Sequence, residues 1–145
     1  MSVAHFRKLT PTAILPTRGS PHAAGLDLYY DGAKPISLWA GQTIMVSTGL
    51  AIEQMPDGCY ARVAPRSGMS VKGSDVLAGV VDGDYRGEIR VVLHGVNYER
   101  PAIEINPGDR IAQLIFERYT HAEVLEVHET NDTQRGAGGF GSTGA

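Results

Sequence analysis

The chain of 145 residues is short of several residue types, and each shortage removes a class of protein. It holds a single cysteine, Cys59, so no intrachain disulfide can form and a reducing compartment is the expected one. No apolar stretch approaches the ~20 residues of a membrane span. Met1–Thr10 has no basic start followed by an apolar run, so no secretory leader is expected. The expected setting is therefore soluble and intracellular, cytoplasmic or nuclear, with no membrane partner. Positive charge is also scarce: 13 basic residues stand against 16 acidic ones, for a net charge of −3. No global field draws nucleic acid, and none is expected as a partner. The five histidines (His5, His22, His94, His121 and His128) form no H-x-x-x-H or Cys/His group, which speaks against a zinc caged by protein ligands. There is no G-x-S-x-G, so covalent nucleophile chemistry has little support.

Long helical periodicity is missing too, and what replaces it points to strands. Apolar segments are short and rich in Val, Ile and Tyr: Thr43–Val46, Tyr60–Ala64, Ile89–Leu93, Arg110–Phe116 and Val124–Val127. Turn signals separate them, among them Asp31-Gly32, Pro56-Asp57-Gly58, Asp82-Gly83 and Asn106-Pro107-Gly108. This spacing predicts an all-β sandwich or barrel. One short helical turn is expected at Ser67–Val71, after Pro65. The length suits one domain, and a chain of this size buries roughly 68–70% of its unfolded surface. Hydrophobic residues make up 42%, which excludes a disordered chain. Glycine is in excess, at 18 of 145 residues or about 12%, against a usual ~7%. Five of these glycines fall between Arg135 and Ala145. Such a tail is either a disordered end or a segment that brings backbone close to something.

Five segments carry chemistry. In Ala24-Gly25-Leu26-Asp27-Leu28-Tyr29, Asp27 alternates with two leucines and faces away from them, as any solvent-facing strand acid would. Pro65-Arg66-Ser67-Gly68 opens the helical turn. An Arg, a Ser hydroxyl and free N–H groups there suit an anion, and an ordinary Ser N-cap with a surface Arg reads equally well. Gly79-Val80-Val81-Asp82-Gly83-Asp84-Tyr85-Arg86-Gly87-Glu88-Ile89-Arg90 reads as a β-hairpin or tight loop. Its backbone could read a nucleobase edge and Asp82 could orient a water, or it is a plain turn with solvated acids. In Pro107–Ile115, period two puts Gln113 on one face with Ile111 and Ile115. Its amide lies either at a wet edge or in a site. The tail, Arg135 to Gly144, offers a guanidinium, the ring of Phe140, two hydroxyls and many N–H groups. These suit a stacked ring and phosphates. Without a Walker lysine and a following helix the tail is no P-loop.

In order and spacing, AGLDLY, PRSG, GVVDGDYRGE, GDRIAQLI and RGAGGFGSTG resemble the five motifs of the homotrimeric deoxyuridine triphosphatases (dUTPases). The resemblance runs from about Leu9 to Gly144. It implies a distorted jelly-roll β-barrel over residues 1–131, with 132–145 as a glycine-rich lid closing over a neighbouring site. It implies hydrolysis of dUTP to dUMP and pyrophosphate, with Mg²⁺ bound mainly through the triphosphate and no direct protein ligand. By the same resemblance Asp82 contacts the sugar and orients the attacking water, and Tyr85 packs under deoxyribose. The backbone of Gly79, Val80, Val81 and Arg90 reads uracil. Arg66, Ser67, Gly68 and Gln113 serve the phosphates, and Asp27 meets Mg²⁺ through water. Phe140 stacks on the base, Arg135 is an arginine finger, and Gly141, Ser142 and Thr143 hold the γ-phosphate.

Four positions depart from the family pattern: the pair His94-Gly95, Gly83 and Val76, the last on the uracil side. Two other readings compete. A dCTP deaminase of the same fold needs a Glu base at the pyrimidine, and Glu88 is the candidate in this segment. The other is a trimer that binds dUTP or a partner protein and signals without hydrolysis, and the intact Asp82 and complete tail argue against it.

Overall fold

The computed structural model describes residues 3–99 and 101–139. Within these, strands dominate, as the short β-branched segments predict. In chain order they are β1 (His5–Lys8), β2 (Thr17–Arg18), β3 (Leu26–Tyr29), β4 (Ile36–Leu38), β5 (Thr43–Ser47), β6 (Leu50–Gln54) and β7 (Cys59–Ala64). Then come helix α1 (Ser67–Lys72), β8 (Ser74–Leu77), β9 (Val80–Val81), β10 (Arg90–Gly95), β11 (Ile103–Ile105) and β12 (Arg110–Arg118). Four antiparallel sheets result, in the orders β1-β6, β5-β10-β8, β11-β4 and β2-β3-β12-β7-β9. This is an all-β, jelly-roll-like fold with one short helix where the turn after Pro65 predicts it. Among the described residues no helix is long and apolar enough to cross a membrane.

Alternation places the core. In β10, Val91, Leu93 and Gly95 are buried while Arg90, Val92 and His94 face outward. Leu28, Leu38, Leu50, Ile52, Ile105, Ile111 and Leu114 join Val91 and Leu93 at 1% exposure or less. Each such side chain contributes about 1.5–3 kcal/mol of burial.

Three expectations change. Val124–Val127 is not a strand: it is exposed, with Val124 at 96%, and has no strand pairing among the described residues. A strand needs a partner for its N–H and C=O groups, and the described residues offer this run none. The segment from Gly79 to Arg90 is not a simple hairpin either. β9 pairs with β7, whereas β10 pairs with β5 and β8, so Asp82–Ile89 links two different sheets. Ile111 does not share the face of Gln113. The ladder slips between Arg110 and Ala112, and both Ile111 and Ala112 are buried.

The departures from the family pattern also find places. Val76 pairs with Leu93 and packs against the core. His94 hydrogen-bonds across the ladder to Thr43, Nδ1 to Oγ1 at 2.9 Å. Gly95 lies against the Trp39-Ala40 backbone, where a Cβ would come within 2.2 Å of the Trp39 carbonyl oxygen. Around Gly83 there is open space. Gly95→Ala is therefore expected to lose about 1–3 kcal/mol through overpacking, whereas Gly83→Ala leaves stability nearly unchanged. Urea unfolding of the two variants checks this, and equal midpoints would contradict it.

Candidate active site

The segment Gly79–Arg90 builds one cavity of about 480 Å³. Gly79, Val80, Val81, Asp82, Tyr85 and Arg90 all line it, together with Glu88, Met45, Leu77 and Ala78. Thus the predicted base- and sugar-side residues are brought together. Val76 does not line the cavity; its neighbour Leu77 does. Local backbone explains the shape. Ala78 and Gly79 both have positive φ, 59° and 111°, and the Gly79 carbonyl accepts from the Val63 N–H at 2.8 Å. A Cβ at Gly79 would lie 2.5 Å from the Val63 carbonyl oxygen, so only glycine fits.

The far end of this segment is clamped from below. Buried Thr48 donates its hydroxyl to the Ile89 carbonyl at 2.6 Å, and the Ile89 N–H donates to the Leu50 carbonyl at 2.7 Å. Glu88 accepts from the Gly49 N–H at 2.9 Å with one oxygen and from Arg90 Nε at 2.8 Å with the other. Nothing local in the sequence announces this clamp, because its two halves lie about forty positions apart in the chain.

A second group forms at the other side of the five-stranded sheet. Cα pairing puts Asp27 (β3), Gln113 (β12) and Ala64 (β7) level. Asp27 is half-buried and accepts from Arg66 Nε at 2.7 Å, with Arg110 Nη1 at 3.4 Å from its other oxygen. Asp27 is thus no free surface acid, and Arg66 is an oriented cation. Arg110 went unassigned in the sequence, although it stands inside the fourth motif. Gln113 donates to the Pro65 carbonyl at 2.8 Å. It lies in the central strand of the sheet and not at a wet edge. Ser67 is not the helix N-cap: Arg66 holds that position in extended conformation, with no side-chain cap. Arg66 and Gly68 line a shallower cavity of about 230 Å³ with Lys72, Glu104 and Arg110.

The two groups share no cavity-lining residue. Three strand intervals separate β3 from β9, or about 14 Å at 4.7–4.9 Å each. Among the described residues Arg135 joins neither group; it is exposed and donates to the nearby Gly138 carbonyl at 2.9 Å. Phe140, Gly141, Ser142 and Thr143 lie outside the described residues. Among the described residues no three His, Cys, Asp or Glu side chains are placed to hold a metal.

Between the two groups, the outer face of β7 and β12 carries a hydrogen-bonded triad. Glu117 accepts from Tyr60 Oη at 2.5 Å and from Arg62 Nε and Nη2 at 2.9 and 2.5 Å. The Arg62 bonds, then the Tyr60 bond, hold the Glu117 carboxyl below its ordinary value of 4.5. The same Glu117 pushes Tyr60 and Arg62 upward, in each case mainly by hydrogen bonding. Val80, the Cα partner of Arg62, is the first residue of β9, which leads into Asp82.

The chain is similar to known proteins. The dUTPase family matches residues 12–144. The deoxyuridine 5′-triphosphate nucleotidohydrolase of cowpox virus is 48% identical over 145 residues, 99% of this chain and 94% of its own length. The dUTPase of Staphylococcus bacteriophage 80alpha, solved with dUPNHPP, has a TM-score of 0.84 at 23% identity over 100% of both chains. A mutant dUTPase from phage phi11 of S. aureus, described with a coordinated structural Mg(II) ion, has a TM-score of 0.77 at 21% identity over 90% of this chain and 99% of its own.

The triad sets a pH dependence of stability. A depressed carboxyl contributes stability above its unfolded pKa and loses it as pH falls through the folded value. Glu117→Gln is therefore expected to melt below the wild type at pH 7. The gap should narrow as pH falls below about 4.5, where Glu117 itself becomes protonated. Thermal melts across that range test this; a gap independent of pH would contradict it.

Proposed function

The chain belongs to the dUTPase family, and from that premise we propose that it hydrolyses dUTP to dUMP and pyrophosphate at sites shared between copies of a homotrimer. The observation that carries the composite site is the separation of its halves. Among the described residues, the cavity at Asp82 and Tyr85 and the one at Arg66 have no lining residue in common. Exposed Val124, Leu125 and Val127 add an apolar run that wants a cover, and Arg135 stands away from both halves.

On this reading the base and sugar enter the 480 Å³ cavity. The backbone of Gly79, Val80, Val81 and Arg90 meets uracil, and the Tyr85 ring lies under the sugar. The triphosphate reaches Arg66, Ser67, Gly68 and Gln113 of a second copy. The third copy's tail, with Arg135, Phe140, Gly141, Ser142 and Thr143, closes over the nucleotide as a lid. A net charge of −3 opposes a triphosphate at long range, so oriented local donors must dominate. A unit pair at 4 Å is worth about 1 kcal/mol in water but about 4 at an effective dielectric near 20. A closing lid that expels water moves the site toward the second value.

The reaction adds water at the α-phosphorus. The water oxygen forms the new P–O bond, the bond to the β-phosphate bridging oxygen breaks, and pyrophosphate leaves. Asp82 orients that water and accepts its proton. Mg²⁺, when bound on the triphosphate, neutralises phosphate charge. The donor set fits this role and no closer one. Asp27, whose two oxygens already face Arg66 and Arg110, would meet the ion through water. The lone Cys59 supports an intracellular setting.

Against the deaminase reading, both oxygens of its candidate base Glu88 already accept a bond, from the Gly49 N–H and Arg90 Nε. Pyrophosphate release from dUTP, set beside dTTP, dCTP and UTP with and without Mg²⁺, tests the proposal. Asp82→Asn is expected to cut turnover by about 10²–10⁴ while keeping dUTP binding. Normal turnover by that variant would remove Asp82 from its role. Ammonia release from dCTP would favour the deaminase, and wild-type binding without hydrolysis the inert trimer.

A further inference from the structure

We infer that Gly87 is a specificity-determining residue. Its missing side chain sets where the Tyr85 ring stands and so how much room the cavity leaves for the sugar, an inference that rests on the dUTP reading above. Tyr85 is held at both ends by its own loop. Its N–H donates to the Asp82 carbonyl at 3.1 Å, and its hydroxyl donates to the Glu88 carbonyl at 3.2 Å. Arg86 braces the same loop, with Nη1 donating to the Gly83 and Tyr85 carbonyls at 2.9 and 3.1 Å.

Between those two anchors the ring passes over Gly87. A Cβ placed there would lie 2.3 Å from the Tyr85 hydroxyl oxygen, 2.5 Å from Cζ and 2.9 Å from Cε2. Gly87 is not among the glycines with positive φ, so its φ alone does not call for glycine. The three atoms nearest that Cβ all belong to the Tyr85 ring and its hydroxyl, and Tyr85 lines the cavity while Gly87 does not. A methyl group at 87 must drive the ring off by about 1 Å or more to restore contact distances near 3.5 Å. Moved toward the cavity it lines, the ring takes space that the dUTP reading gives to the sugar, and the Tyr85–Glu88 bond is lost with the move.

The experiment is a double-mutant cycle on residues 85 and 87, read by pyrophosphate release from dUTP and by a crystal structure of Gly87→Ala. The expected result is a KM for dUTP raised about tenfold to a hundredfold, the scale of a 1 Å misplacement. In a Tyr85→Ala background Gly87→Ala should then add no further change. The crystal structure should place the ring displaced toward the cavity. An unchanged KM, or an equal effect with and without the ring, overturns the inference. If Gly87→Ala does not fold, a Tyr85→Ala/Gly87→Ala variant that folds supports the ring clash, and failure of both overturns it. The ring position is read without substrate. A wild type inactive on dUTP beside a displaced ring would therefore sink the dUTP reading and leave the steric role of Gly87 standing.

Discussion

Register along β12 is the constraint on which the rest depends. This nine-residue strand is the middle of the five-stranded sheet and pairs with β3 on one side and β7 on the other. The pairing brings Asp27, Gln113 and Ala64 level, and so sets Arg66, two residues past Ala64, within reach of Asp27. A slip of one residue would turn Gln113 into the core and Leu114 out of it. Leu114 is fully buried, so the core resists that slip. The same packing that stabilises the barrel thus orients a half-buried carboxylate and a guanidinium at 2.7 Å.

The opposite edge is built differently. β9 has only two residues, and the Asp82–Ile89 loop beyond it is held by turns and clamps and not by a ladder. Thr48, Leu50 and Glu88 fasten its far end, Gly79 its near end, and Tyr85 folds back on Gly87. This edge presents the aspartate proposed to guide water, while the phosphate-side cations sit across the sheet. On the proposed reading the two halves meet by association between copies, and binding is then coupled to assembly.

Much of this was legible in the residues, and the failures have physical causes. Short β-branched runs and turn dipeptides carried the all-β fold, and Pro65 before Ser67 carried the helix. The third motif announced its own cavity because its residues are local in sequence. Long-range partners were not visible: the Asp27–Arg66 and Thr48–Ile89 contacts join residues about forty positions apart. Ile111 was misplaced because a slip in the ladder breaks period two. Val124–Val127 has strand composition but no ladder partner among the described residues. That Gly95 leaves no room for a Cβ shows only in the Trp39 backbone it packs against, far away in sequence.

The central claim is that one working site takes Asp82 and Arg66 from different chains. Mixing two inactive variants, Asp82→Asn and Arg66→Ala, after joint unfolding and refolding tests it most directly. The account predicts that activity returns in the mixture, because some hybrid assemblies join an intact Asp82 half to an intact Arg66 half. If the mixture stays as inactive as either variant alone, while hybrids demonstrably form, each site is built within a single chain and the account is wrong.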